Sequence, residues 1–152
     1  MSSVLTAGSF EFDPQLKLEE QTCFQVYALS RLLTKAYQPL LTPLDLTYPQ
    51  YLVLLLLWEH RELTVKDLGQ HLLLDSGTLT PLLKRLAQRG LVSRQRDPHD
   101  ERSVRITLLP AGVALHERAR HIPAQSDQQY AKSPAGLAGL RQELKQLIRR
   151  LA

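Results

Sequence analysis

Between Thr64 and Leu108 the hydrophobic period changes from helical to alternating, and that change narrows the folds open to the chain. Thr64 and Asp67 have the spacing of a capping box ahead of Val65, Leu68 and Leu72, so a short helix starts there. Gly69 leaves room for a second helix to approach closely. Asp75 can cap that second helix, with Leu79, Leu82, Leu83 and Leu86 as its inward face and Gly90 as its stop. Two short helices joined this tightly form a helix-turn-helix. From Leu91 to Arg96 and again from Ser103 to Leu108 the period falls to two, with Val104, Ile106 and Leu108 on one side and Arg105 and Thr107 on the other. Asp97-Pro98-His99-Asp100 between them is turn chemistry, so the pattern predicts a β-hairpin wing with a basic tip.

The flanks read as helix. Val26, Leu29, Leu33, Tyr37 and Leu40 predict a helix from about Leu16 to Gln38, stopping at Pro39. Thr47 and Gln50 form a second capping box, and the helix they open, from near Tyr48 to near His60, is apolar almost all round and belongs in the core. Pro110 opens a helix to about His121, or beyond Pro123 with a kink. From Ala135 onward Leu137, Leu140, Leu144, Leu147, Ile148 and Leu151 make an apolar stripe that needs a cover. A second copy of the chain is the simplest cover. A two-fold dimer would present two reading heads to a palindromic duplex, ~34–36 Å apart. The expected fold is therefore mainly α with a small β-hairpin wing: a winged helix-turn-helix over 46–109, an N-terminal arm and dimerisation helix over 1–45, and C-terminal dimerisation helices over 110–152, in one dimer-forming unit.

Charge points to the partner. Leu82 to Arg105 holds Lys84, Arg85, Arg89, Arg94, Arg96, Arg102 and Arg105 against Asp97, Asp100 and Glu101, a surplus of four that equals the surplus of the whole chain. Such concentration suits a polyanion, because each neutralised phosphate releases counterions. The longest apolar run, Tyr51 to Trp58, is far too short to cross a bilayer, and Met1 to Asp13 lacks a basic flank ahead of an apolar core, so a cytoplasmic protein without membrane partners is expected. Cys23 is the single cysteine and can form no internal disulfide. The five histidines lack metal-site spacing, and neither a Ser-His-Asp order nor a glycine-rich phosphate loop is present, so no metal, cofactor or catalytic role is expected.

Thr64 to Leu109, with the run Asp75-Ser76-Gly77-Thr78-Leu79-Thr80-Pro81-Leu82-Leu83 and the wing Asp97-Pro98-His99-Asp100-Glu101-Arg102, resembles the MarR family of winged-helix regulators. Cys23-Phe24, Tyr27, Tyr37 and the block Leu46-Thr47-Tyr48-Pro49-Gln50-Tyr51 resemble, more narrowly, its organic hydroperoxide resistance repressors, the OhrR branch in its one-cysteine type. The likeness spans roughly Leu16 to His121. It implies a homodimeric repressor of double-stranded palindromic DNA, induced by an organic hydroperoxide that oxidises Cys23. Tyr27, Tyr37 and Tyr48 would donate hydroxyl hydrogen bonds to the thiolate, and Tyr51 would belong to the core. On an unbroken helix Tyr27 lies one turn from Cys23, whereas Tyr37 is ~21 Å along, so Tyr37 can reach a thiolate only across a subunit interface.

Oxidation to sulfenic acid would repack the dimer and release DNA. No second cysteine follows Pro110, so the oxidised sulfur would end as a mixed disulfide with a low-molecular-weight thiol, a cyclic sulfenamide or an over-oxidised acid. By the same resemblance Ser76, Thr78, Thr80, Pro81, Lys84 and Arg85 would face the major groove. Arg102 would enter the minor groove with Asp100 bracing it, and Arg94 and Arg96 would contact phosphates. Local rules would start that helix at Thr80 because of Pro81, while the resemblance implies the longer helix. Two other readings stay open: a MarR-type repressor released by a phenolic or lipophilic ligand, with Cys23 only packing, and a thiol peroxidase, for which no motif surrounds Cys23.

Overall fold

A computed structural model of the chain describes residues 11–130 and 134–152; the N-terminal reading of residues 1–10 lies outside them. The chain divides into two compact units that meet in sequence between Ala36 and Tyr37. The first contains two 3₁₀ turns, Pro14–Leu16 and Leu18–Glu20, and most of helix α1, Thr22–Leu41. The predicted start at Leu16 is thus too early. Asp13 accepts the Gln15 N–H and closes a separate turn ahead of the helix, and the Gln21 side chain donates to the Gln15 and Lys17 carbonyls. The predicted stop at Pro39 is also wrong, since Pro39 lies inside α1. A proline here removes one backbone bond near the helix end. Continuing the helix brings Leu41 into the core and lets Thr42 Oγ1 donate to the Gln38 carbonyl at 2.8 Å.

Helix α2, Tyr48–His60, is the central element of the second unit, with Val53, Leu54 and Leu57 fully buried. Its capping box forms as expected: Thr47 Oγ1 accepts the Gln50 N–H, and Gln50 Oε1 accepts the Thr47 N–H at 2.9 Å. Strand β1, Glu62–Thr64, follows and was not foreseen. Then come α3, Val65–Leu72, and α4, Ser76–Gln88, the expected helix-turn-helix. Gly69 makes their turn possible, because a Cβ there would sit 2.8 Å from the Leu74 carbonyl oxygen. Gly90, at φ +68°, ends the α4 segment as predicted. Pro81 lies inside α4, so the longer helix holds.

Strands β2, Val92–Asp97, and β3, Asp100–Leu108, form the wing hairpin, and β1 adds to the other side of β3 to give an antiparallel sheet of order β1-β3-β2. The register pairs Arg94 with Ile106 and Leu63 with Ile106, which places Ile106 in the core at the centre of the sheet. The C-terminal segment breaks into α5, Pro110–Ala119, α6, Ile122–Tyr130, and α7, Pro134–Leu151, with Pro123 tolerated in the first turn of α6. Helix α5 is tied to the core by Trp58 Nε1 donating to the Gly112 carbonyl at 2.9 Å and by Arg118 Nη2 donating to the Pro43 carbonyl at 2.7 Å. Among the described residues no single helix is long and apolar enough to cross a membrane.

The cap of α3 gives a direct test of this local chemistry. Thr64 Oγ1 accepts the Asp67 N–H at 3.1 Å and donates to Asp67 Oδ2 at 2.6 Å. Thr64→Ala removes both bonds and is expected to cost about 1 kcal/mol, read as a lower urea midpoint with an unchanged slope.

Candidate functional site

Helices α3 and α4 and the wing line an open groove of about 620 Å³ whose polar lining includes Lys66, Gln70, Ser76, Thr80, Arg94 and Arg102. Four of the residues singled out from the sequence, Ser76, Thr80, Arg94 and Arg102, therefore meet in one place. Thr78, Pro81, Lys84, Arg85, Arg96 and Asp100 lie outside that lining and are all exposed. Lys66 and Gln70, on α3, were missed. Their position four residues apart on the first helix of the motif was the available signal.

The start of α4 is organised by Asp75. Its Oδ1 accepts the Thr78 N–H at 2.8 Å and its Oδ2 accepts the Thr78 hydroxyl at 2.9 Å. These bonds, the backbone one foremost, hold the Asp75 carboxyl below its ordinary range. The Thr80 hydroxyl donates to the Ser76 carbonyl at 2.7 Å. Both threonine hydroxyl protons are thus engaged within the helix, and what each hydroxyl offers outward is its lone pairs.

The seven cations of the basic segment do not behave alike. Arg89 turns inward, with Nη2 donating to the Leu44 carbonyl at 3.1 Å, Nη1 to the Asp45 carbonyl, and Nε 3.4 Å from Asp45 Oδ2. Arg105 pairs with Glu62 and Asp97. Lys84, Arg85, Arg94, Arg96 and Arg102 have no ion-pair partner among the described residues, and Arg94 Nε is buried without a hydrogen bond. Asp100 Oδ1 accepts the backbone N–H of Arg102 at 3.0 Å, so it braces the strand that carries the arginine, not the guanidinium.

Cys23 is exposed in the first turn of α1. One turn on, Tyr27 is 59% exposed, and its hydroxyl oxygen accepts from Arg31 Nη1 at 2.9 Å, with the guanidinium carbon 5.6 Å from the ring centroid. Accepting that bond leaves the phenolic proton available for donation. Arg31 continues the four-residue spacing of Cys23 and Tyr27, a signal legible in the sequence but not used. Tyr37 and Tyr48 belong to a separate aromatic cluster: their ring centroids are 4.9 Å apart, and those of Tyr37 and Tyr51 are 6.1 Å apart. Tyr51 is the core member, 3% exposed, and burial first, then the neighbouring Tyr48, pushes its hydroxyl pKa up. Helix α1 carries no break between Cys23 and Tyr37.

The sequence model of the MarR family matches residues 46–104, from the approach to α2 to the middle of β3. Over 113 residues, 74% of this chain and 76% of the relative, the chain is 59% identical to the organic hydroperoxide resistance transcriptional regulator of Bacillus subtilis (strain 168). Among solved structures it resembles AbfR of Staphylococcus epidermidis. Reduced AbfR bound to DNA superposes with a TM-score of 0.74 at 38% identity, covering 90% of this chain and 96% of that one. Overoxidized AbfR bound to DNA gives 0.74 and 38%, covering 91% and 97%. With a regulator this similar over three quarters of its length, and the family's pattern lying across both the helix-turn-helix and the wing, the chain belongs to the MarR family.

Proposed function

We propose that the protein is a cytoplasmic, homodimeric repressor that binds a palindromic DNA site and releases it when an organic hydroperoxide oxidises Cys23. The likeness to the Bacillus subtilis regulator carries this reading, and the geometry supports both halves of it. On the DNA side, the groove gathers cations from β2 and β3 beside the exposed face of α4. Lys84, Arg85, Arg94 and Arg96 take phosphates, Arg102 enters the minor groove, and Ser76 and Pro81 lie against the major-groove edge. Thr78 and Thr80, with their protons engaged at Asp75 and Ser76, present lone pairs. Lone pairs suit the amino groups of adenine or cytosine in the major groove better than phosphate oxygens.

On the redox side, the Cys23 thiolate attacks the outer peroxide oxygen. The O–O bond breaks as the S–O bond forms, the sulfur becomes a sulfenic acid, and the departing alkoxide takes a proton and leaves as an alcohol. Tyr27 from its own chain and Tyr37 and Tyr48 from the partner hold the thiolate before the reaction and lose that partner after it. The two reading heads then move apart from their half-site spacing. Overoxidized AbfR is found on DNA, which argues against the over-oxidised acid as the releasing form here and leaves the mixed disulfide with a small thiol and the cyclic sulfenamide as the two routes to release.

An operator gel shift with and without an organic hydroperoxide tests this. The wild type is expected to release DNA and Cys23→Ser to stay bound. Equal release by both would remove the redox reading and leave the DNA-binding one standing.

A further inference from the structure

Arg105 belongs by charge to the basic segment, yet its guanidinium is the hub of a closed network. Nε donates to Asp97 Oδ2 at 2.7 Å and Nη1 donates to Glu62 Oε1 at 2.5 Å. The second Glu62 oxygen accepts the Thr107 hydroxyl at 2.7 Å, and the second Asp97 oxygen accepts the His99 N–H at 2.8 Å. Asp97 is only 7% exposed, at the bulge where β2 enters the wing turn. The bonds from Thr107 and then Arg105 lower the Glu62 pKa, and those from the His99 N–H and then Arg105 lower that of Asp97. Both carboxyls therefore keep their charge to lower pH than an ordinary carboxyl does, and the network is lost as pH falls through their lowered pKa values.

The network joins parts that matter for reading DNA. Glu62 lies on β1, two residues before the Thr64 cap that starts α3. Asp97 and His99 shape the turn that leads into the strand carrying Arg102. One planar fork thus spans the helix-turn-helix entry and the wing, a role a lysine cannot fill because it lacks the two-pronged geometry. We propose that Arg105 is a positioning residue for operator recognition: its fork to Glu62 and Asp97 sets the pitch of the wing against the helix-turn-helix so that Arg102 reaches the duplex, and Arg105 itself contacts no phosphate.

This rests on the DNA-binding reading above, and a double-mutant cycle on operator affinity separates the two. Arg105→Lys keeps the net charge and is expected to weaken operator binding about tenfold. In an Arg102→Ala background the same substitution is expected to change affinity by less than about twofold, because the wing contact is already gone. Asp97→Asn should reproduce that coupling with Arg102→Ala, and it carries the cycle if Arg105→Lys does not fold. Equal losses in both backgrounds would overturn the clamp, whether Arg105 then touches a phosphate or only stabilises the fold; so would no loss in either. Wild type that binds no duplex at all would instead remove the reading on which the clamp depends, and the clamp with it.

Discussion

Gly112→Ala is expected to lower the unfolding free energy by about 2–3 kcal/mol, although alanine is the better helix former by roughly 1 kcal/mol. The reason is the seam between α5 and the wing. A Cβ on Gly112 would stand 2.3 Å from the Leu91 carbonyl oxygen, 2.7 Å from Leu108 Cδ1 and 3.3 Å from the Leu91 carbonyl carbon. The leucine side chain can swing aside, but the carbonyl cannot. It accepts the Leu109 N–H at 3.0 Å, and the Leu91 N–H is itself bound to the Leu86 carbonyl. Pushing α5 outward would also stretch the bond from Trp58 Nε1 to the Gly112 carbonyl. Urea unfolding followed by the fluorescence of Trp58, the only tryptophan, reads the effect. It must be done at fixed protein concentration, since the proposed dimerisation would feed into apparent stability. Gly139→Ala on α7, where a Cβ would meet nothing within 4 Å, is the matched control and should be neutral or slightly stabilising. An equal loss at both sites would remove the steric account.

The same seam shows which parts of the fold the sequence could disclose. Caps are local: Thr47 with Gln50, Thr64 with Asp67, and Asp75 with Thr78 all lie within three residues, and each forms as its spacing predicts. Strand β1 is three residues long and exists because β3 offers it an edge more than forty positions away, so no window around Glu62 could reveal it. Pro39 obeys a local rule in the sequence and breaks it in the fold, because burying Leu41 outweighs one missing backbone bond. Formal charge has a similar blind spot. Counting cannot show that Arg89 and Arg105 are engaged with carbonyls and carboxylates while Arg102 is not, since Asp45, Glu62 and Asp97 are brought to them only by tertiary structure. The gathering of Ser76, Thr80, Arg94 and Arg102 along one groove follows from the predicted motif, whereas the addition of Lys66 and Gln70 depends on how α3 lies beside the wing.

Charging the stripe on α7 should have the largest effect on function. Leu140→Glu with Leu147→Glu is expected to leave the helix formed, separate the subunits and weaken operator binding by about 10²–10⁴-fold. Leu140 and Leu147 lie seven residues apart, hence two turns along one face, and are 45% and 42% exposed, with Ile148 and Leu151 also uncovered. A run of apolar side chains left open along a terminal helix points to an interface rather than to a solvated face. Glutamate is a good helix former, so at exposed positions it does not unwind α7 in a single chain. Within a dimer it places unpaired carboxylates in apolar surroundings, which opposes association strongly. The loss in DNA binding then follows without any change at the reading heads. Two heads on one rigid body bind the second half-site at high effective concentration, and a lone head does not. Sedimentation, far-UV circular dichroism and operator titration on the same preparation separate the steps. A variant that is monomeric, helical and still binds the operator at wild-type affinity would show that each head recognises DNA alone. Repression would then not depend on the spacing of two heads, and oxidation at Cys23 would need some other route to release.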